Sequence, residues 1–131
     1  VNDLCKQAVI GKFLTLNSNG KTVRDFVTIK DFCSVIGLLI EGNNTKNIIN
    51  IGSGKACTIV EMAARIQKNC LSVLGFEPPI VFKNKLPIQK NLFDFQTNYL
   101  DGVSFKFINN FDQEIKNLLY FCKENFSHED K

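Results

Sequence analysis

The segment Gly52-Ser53-Gly54-Lys55 contains the residue types that cradle phosphate groups, because closely spaced glycines let backbone amides approach an anion. Its spacing does not fit the known nucleotide motifs. A Walker loop needs a glycine five places before Gly54, where Ile49 stands, and a hydroxyl after the lysine, where Ala56 stands. The dinucleotide fingerprint fails at its third glycine, which is replaced by Cys57. We therefore expect a glycine turn between a strand and a helix rather than a nucleotide cradle.

Nucleophilic and metal chemistry lack the residues they need. The one histidine, His128, lies in a polar tail where no neighbour can orient its ring for a catalytic triad. The five cysteines are at least thirteen positions apart, so no metal-ligand spacing exists. Their odd number argues against a disulfide framework. The sequence therefore predicts no metal site.

Paired carboxylates are the remaining route to acid–base chemistry. Asp25, Asp31, Glu61 and Asp94 could meet in space. Helix capping accounts for two of them more simply. Asp31 precedes apolar residues at helical spacing, and Glu61 completes a capping box that starts at Thr58.

The composition is that of one globular domain. The chain has 131 residues, of which 44% are hydrophobic and 22% charged. The net charge is +3 without a run of four or more cations, so we expect no nucleic-acid partner. The longest apolar run, Val35 to Ile40, is much shorter than a membrane span, and no signal sequence opens the chain. We therefore expect a cytoplasmic protein with no membrane partner.

Helical and extended patterns alternate along the chain, which predicts an α/β fold. The predicted helices are Val1 to Ile10, ended by a left-handed Gly11; one capped by Asp31; one from Thr58 to about Gly75; and one capped by Asn110 with Gln113. The predicted extended segments are Lys12 to Leu16, Thr22 to Ile29, Asn47 to Ile51 and Ile80 to Phe82, and a loop is expected from Lys83 to Asn91.

Three of these segments, taken in order, resemble the C-terminal half of the NAD-dependent epimerase/dehydratase family, the extended short-chain dehydrogenases that act on nucleotide sugars. They are the Arg-Asp-Phe-Val-Thr-Ile-Lys-Asp run at 24–31, the Asn-Ile-Gly-Ser-Gly run at 50–54 and the capping box at 58–61. The resemblance implies a small mixed α/β substrate-binding portion at residues 1–126, without its Rossmann domain, followed by a polar tail at 127–131.

The family pairs this portion with an N-terminal Rossmann domain that binds NAD or NADP and carries a catalytic Tyr-x-x-x-Lys pair. Neither Tyr99 nor Tyr120 is followed by that lysine, because Val103 and Glu124 occupy the positions. The resemblance thus implies no catalytic residue and no cofactor site in this chain, with the absent Rossmann domain as its partner. The start at Val1, without methionine and inside a helical pattern, suggests a cut through a longer protein.

The resemblance assigns Arg24 to the diphosphate of a nucleotide sugar, and a planar, permanently charged guanidinium suits phosphate oxygens. The alternative is a surface ion pair with Asp25 or Asp31. In the family, the strand that holds the nucleotide base through backbone groups corresponds to Thr15 and Asn17.

The family's second phosphate-binding arginine is missing, because Lys85-Leu86-Pro87-Ile88 stands in its loop. Lys85 or Lys90 could serve as a point charge, or this part of the site is degenerate. The missing arginine also favours an alternative function, a stand-alone binding module that kept the fold and lost the chemistry. Since the segment Asn47 to Ile51 packs on the cofactor domain in the family, we expect a homodimer or poor solubility when that domain is absent.

Overall fold

The computed structural model describes residues 1–42, 49–83 and 105–127. Within these ranges the elements are α1 (Asn2–Ile10), β1 (Leu14–Leu16), β2 (Val23–Asp25), α2 (Ile29–Glu41), β3 (Ala56–Thr58), α3 (Ile59–Leu74), β4 (Ile80–Phe82) and α4 (Phe111–Phe126). β1 pairs with β4 in parallel, and β2 pairs with β3 antiparallel. The prediction of a small mixed α/β fold is confirmed.

The hydrophobic core lies between α1, α3 and α4, with β1 against it. α3 is its centre, because the predicted apolar stripe of this helix is buried on the side that faces α1 and α4. The buried apolar side chains are Leu4, Cys5, Ala8, Leu14, Leu16, Met62, Ala63, Ile66, Cys70, Val73, Ile115, Leu119 and Cys122. The helices thus hold the two short strand pairs in place, since three-residue strands are not stable alone.

Two predicted helix ends are confirmed and one is wrong. The capping box of Thr58 and Glu61 is present, and Asn110 caps α4 by accepting from the amide of Gln113. Gly11 ends α1 but is not left-handed, since its φ is −89°. The left-handed residue is Lys12, at φ 56°. A Cβ at position 11 would lie 2.7 Å from the ring of Phe13, so a larger residue there would displace that exposed ring.

The predicted cap of α2 is also wrong. Thr28, not Asp31, is the N-cap, and its hydroxyl accepts from the Asp31 amide. The Asp31 side chain is 1% exposed and accepts from the backbone amides of Ile108 at 3.0 Å and Asn109 at 2.9 Å. It therefore ties α2 to the segment before α4 instead of capping its own helix.

The strand boundaries differ more from the predictions. Only Leu14–Leu16 and Val23–Asp25 of the first two predicted extended segments form strands. Residues 49–51 of the predicted strand Asn47–Ile51 are not in a strand, and positions 47 and 48 lie outside the described ranges. The strand β3 was not predicted, because Ala-Cys-Thr has no alternating pattern and pairing with β2 alone makes it extended. Residues 84–91 of the predicted loop, and His128 with the rest of the tail after Ser127, are also undescribed.

The helix α2 keeps an apolar side uncovered. Four apolar side chains at helical spacing are exposed: Ile29 at 72%, Phe32, Ile36, and Ile40 at 78%. We call these four residues the α2 face. Of the whole helix, only Asp31 and Val35 are buried. None of the helices in the described part of the chain is both long and apolar enough to cross a membrane.

The first prediction concerns the Asp31 tie. Burial by itself would raise the pKa of Asp31, but the amides of Ile108 and Asn109, the Thr28 hydroxyl and the charge of Lys30 lower it below its ordinary value. Its stabilising effect is therefore complete above the unfolded-state pKa and is lost as the pH falls through the folded-state pKa. We expect Asp31→Asn to lower the free energy of unfolding by about 2 kcal/mol at pH 7, because asparagine cannot accept from both amides as a carboxylate does.

Urea unfolding at several pH values measures this effect, and the difference between wild type and variant should shrink below about pH 4. Glu41→Gln, at the exposed end of the same helix, is the control and should change little. Equal stability of wild type and Asp31→Asn at pH 7 would contradict the tie.

The second prediction concerns thiol reactivity. Burial raises the pKa of Cys5 to about 12, with further increases from the nearby thiols of Cys122 and Cys70, and burial raises that of Cys70 to about 11. Cys33 is exposed and Cys57 partly buried. A thiol reagent should therefore modify Cys33 fast, Cys57 slowly and the other three only after unfolding. Cys33→Ser should remove the fast phase. Fast modification of three thiols in the folded protein would contradict the burial of Cys5, Cys70 and Cys122.

Candidate functional site

Arg24 lies in the middle of β2, opposite Cys57 of β3, and its side chain is exposed. Its guanidinium donates from Nη1 to the carbonyl of Val23 at 2.9 Å. Within the described ranges it forms no ion pair with a carboxylate. The strand thus presents a permanent positive charge to solvent with most of its five N–H donors free.

In the described part of the chain, the two carboxylates named as possible partners of Arg24 accept hydrogen bonds from other groups. Asp31 is held by the amides of Ile108 and Asn109. Asp25 follows Arg24 directly, but consecutive side chains of a strand point to opposite sides. Its carboxylate accepts from Ser53 and Gly54 instead.

The loop Gly52–Lys55 holds an anion, but that anion is the Asp25 side chain. Asp25 Oδ1 accepts from the Ser53 amide at 2.9 Å and the Ser53 hydroxyl at 2.6 Å, and Oδ2 accepts from the Gly54 amide at 2.8 Å. Gly54 has a φ of +69°, which turns its amide toward the same carboxylate side. We call this set of contacts the Asp25 clasp. It explains why a phosphate-like loop is not open to a nucleotide in this chain.

The N-terminus of α3 is closed to anions as well. Its first amides donate to the carbonyls of Thr22 and Gly20, from Ile59 at 3.0 Å and Val60 at 2.9 Å. Gly20 has a φ of +70°, and a Cβ there would lie 2.9 Å from the Cβ of Val60, so only glycine fits. The segment that leads into β2 is thereby fixed across the start of the helix.

Thr15 lies in β1 opposite Val81, and Asn17 follows the end of that strand with its side chain exposed. The Thr15 amide donates to Gln7 Oε1 at 2.7 Å, while Gln7 Nε2 donates to Asp3 at 2.6 Å. The Thr15 amide is therefore not free for a ligand, and any backbone contact there falls to its carbonyl. The sequence carried no signal for this role of Gln7, which depends on how α1 packs beside β1.

Lys85 and Lys90 lie outside the described residues, as does Asp94. Arg24 and Asn17 stand at the two ends of the segment that crosses the N-terminus of α3. Of the five predicted site residues, Thr15, Asn17 and Arg24 lie in the described part of the chain.

Cys57, the cross-strand partner of Arg24, is unsuited to nucleophilic chemistry. Burial and, less strongly, the carboxylate of Glu61 raise the pKa of its thiol. It therefore stays protonated near neutral pH. In the part of the chain that the structure describes, no group of three or more histidine, cysteine, aspartate or glutamate side chains could hold a metal ion.

Two cavities lie near this region. A groove of about 510 Å³ runs between the start of α1, the link from β2 to α2, and α4. It is lined mainly by apolar side chains and includes Ile29 of the α2 face. A smaller cavity of about 270 Å³ lies beside β3, with Lys55 and Arg65 at its wall. Arg65 pairs with Asp112 at 3.0 Å, so its charge is already compensated.

No family model matches the chain. In sequence it is similar to UDP-glucuronic acid decarboxylase 3 of Arabidopsis thaliana, at 26% identity over 75% of this chain and 36% of that protein. The match therefore spans little more than a third of the curated relative.

The fold is similar to those of several solved enzymes. A UDP-N-acetylglucosamine 4-epimerase from Methanobrevibacter ruminantium M1, in complex with UDP-N-acetylmuramic acid, has a TM-score of 0.71 and 20% identity over 92% of this chain and 38% of its own. A dTDP-glucose 4,6-dehydratase from Bacillus anthracis str. Ames, in complex with NAD, has a TM-score of 0.67 and 20% identity over 93% and 38%. The resemblance seen in the motifs is thus confirmed for the fold, and the chain covers 38% of each solved enzyme.

Proposed function

We propose that this chain is the nucleotide-sugar-binding part of an NAD(P)-dependent sugar epimerase, dehydratase or reductase, and that Arg24 binds the diphosphate. The observation that carries the proposal is the state of Arg24. It is exposed, and both neighbouring carboxylates are held by backbone amides rather than by the guanidinium. A charge kept free in this way is available to an anionic ligand.

In this proposal Arg24 acts by binding and positioning. Its planar fork can donate to two phosphate oxygens at once, which fixes the orientation of the diphosphate as well as its location. Because the diphosphate is remote from the reacting carbon of the sugar, this binding energy serves to hold the sugar in place. The nucleotide base would lie along the end of β1, near the Thr15 carbonyl and Asn17. Lys85 or Lys90 would supply the second positive charge.

NAD or NADP supplies hydride transfer when it is bound to the parent enzyme. The described residues of this chain do not fit such a cofactor, because Asp25 fills the loop Gly52–Lys55 and carbonyls cover the start of α3. The cofactor would therefore be held by another part of the parent protein, and the proton-transfer residues would lie there too.

The α2 face supports a domain partner. Its four apolar side chains and the adjoining 510 Å³ groove together form a surface that the described core leaves uncovered. The chain accounts for only 38% of the length of the solved neighbours. We propose that the cofactor-binding domain covers the α2 face. A stand-alone binding module, the alternative function, would leave an apolar helix facing water.

The third prediction tests Arg24 by nuclear magnetic resonance titration of the chain with UDP, GDP and dTDP, a method that detects millimolar affinity. Arg24→Ala should lower the affinity of the chain for the nucleotide by about tenfold, because a charge-assisted bidentate contact is lost. The affinity of Arg24→Lys should lie between those of wild type and Arg24→Ala, because lysine keeps the positive charge but not the planar guanidinium. Arg65→Ala, the other arginine, is the control. Unchanged affinity in Arg24→Ala would overturn the proposed role.

The fourth prediction tests the α2 face by light scattering. The chain by itself should self-associate at high concentration, because the α2 face is exposed to water. Replacing Ile36 and Ile40 with lysine should shift it toward monomer without unfolding it, since both side chains are already exposed. The control is Leu71→Lys on α3, where the side chain is 53% exposed, and it should not change the association. A wild-type chain that stays monomeric at high concentration would count against an uncovered interface.

A further inference from the structure

Asp25 makes the most highly coordinated polar contact in the candidate site. Its carboxylate accepts three hydrogen bonds, at 2.6 to 2.9 Å, from two consecutive residues that lie 28 and 29 positions away. The Ser53 hydroxyl also accepts from the Lys55 amide at 3.1 Å, which fixes the far side of the loop. A buried helix cap or a local turn does not explain these contacts, because they join β2 to the loop before β3.

We propose that Asp25 is the positioning residue for Arg24, and that its clasp directs the substrate diphosphate to Arg24 by filling the competing anion site in the loop Gly52–Lys55. This inference rests on the proposed function of Arg24. Asp25 does not contact the ligand in this scheme, and it acts only through its neighbour and through the loop.

The positioning follows from the shortness of the strands. β2 and β3 have three residues each, and the Asp25–Ala56 pair ends their ladder. A two-stranded ladder of this length is not stable by itself. The clasp holds the end of β2 by charge-assisted hydrogen bonds next to Arg24. Because Arg24 and Asp25 point to opposite sides of the strand, anchoring the Asp25 carboxylate fixes the backbone at Arg24 and the side of the strand from which the arginine side chain leaves.

The steering follows from the donors in the loop. The Ser53 and Gly54 amides and the Ser53 hydroxyl converge on one carboxylate. Such converging amides bind anions when they are open. With Asp25 in place they are saturated, so a diphosphate finds free donors at Arg24 and not in the loop. Without Asp25 the loop would offer a second, misplaced phosphate site.

The fifth prediction uses the same chain and two probes, UDP and inorganic phosphate, followed by amide resonances. Asp25→Ala should lower UDP affinity about as much as Arg24→Ala does. The double variant Arg24→Ala/Asp25→Ala should bind UDP no more weakly than Arg24→Ala alone, because both substitutions remove the same contact between Arg24 and the diphosphate. Inorganic phosphate should shift the Ser53 and Gly54 amides in Asp25→Ala and leave them unmoved in wild type. The phosphate shift tests whether Asp25 fills a competing anion site, and the non-additive UDP losses test whether it positions Arg24.

Two further variants keep the test decisive. Asp25→Asn retains one acceptor and should show a smaller loss of UDP affinity, and Ser53→Ala removes one hydrogen bond of the three. Unchanged resonances of α3 show that the variants remain folded. UDP affinity lowered by Arg24→Ala but not by Asp25→Ala would overturn the positioning role and leave the proposed function intact. Additive losses in the double variant, or no phosphate shift in a folded Asp25→Ala, would also overturn it.

Discussion

The first turn of α3 is the constraint on which the rest of the structure depends. This helix packs against α1, α4 and β1, so it must start at a fixed point. Its leading amides have no partners within the helix and need acceptors from elsewhere. The carbonyls of Thr22 and Gly20 accept from the first two amides, those of Ile59 and Val60, and the Thr58 hydroxyl accepts from the third, that of Glu61. The same carbonyls fix the chain just before Arg24, so the stability of the core and the placement of the site share one set of hydrogen bonds.

Internal carboxylates occupy the places where external anions could have bound. Asp25 fills the loop Gly52–Lys55, and Asp31 holds the amides of Ile108 and Asn109. Each aspartate accepts hydrogen bonds from two backbone amides that are distant in sequence. The consequence is electrostatic as well as structural. Among the described residues, neither aspartate forms an ion pair with Arg24, and the proposed diphosphate contact depends on that.

The helix α2 differs from the rest of the structure in how little of its apolar surface is buried. The core between α1, α3 and α4 is well buried, whereas α2 has only two buried side chains, Asp31 and Val35, and neither belongs to that core. Its apolar side chains face water, which costs solvation free energy that contact with another surface would recover. In the proposed function, contact of the α2 face with a cofactor domain would also bring the sugar and the cofactor together.

The sequence by itself determined the features that depend on neighbouring residues. The apolar stripe of α3, its capping box and the cap at Asn110 were all predicted, because helical periodicity and capping act over three or four positions. The order of motifs also pointed to the fold that the solved relatives share. The absence of a nucleotide motif around Gly54 followed from spacing alone.

The tertiary structure decided everything that depends on distant pairing. The sequence neighbours of Asp31 predict a helix cap, yet the backbone partners of its side chain are 77 and 78 positions away. β3 is a strand only because β2 pairs with it, and the Thr15 amide is closed only because Gln7 lies beside it. Whether Arg24 was free or paired could not be read from its neighbours either. A carboxylate binds the donors that folding brings nearest, and sequence spacing does not reveal which donors those are.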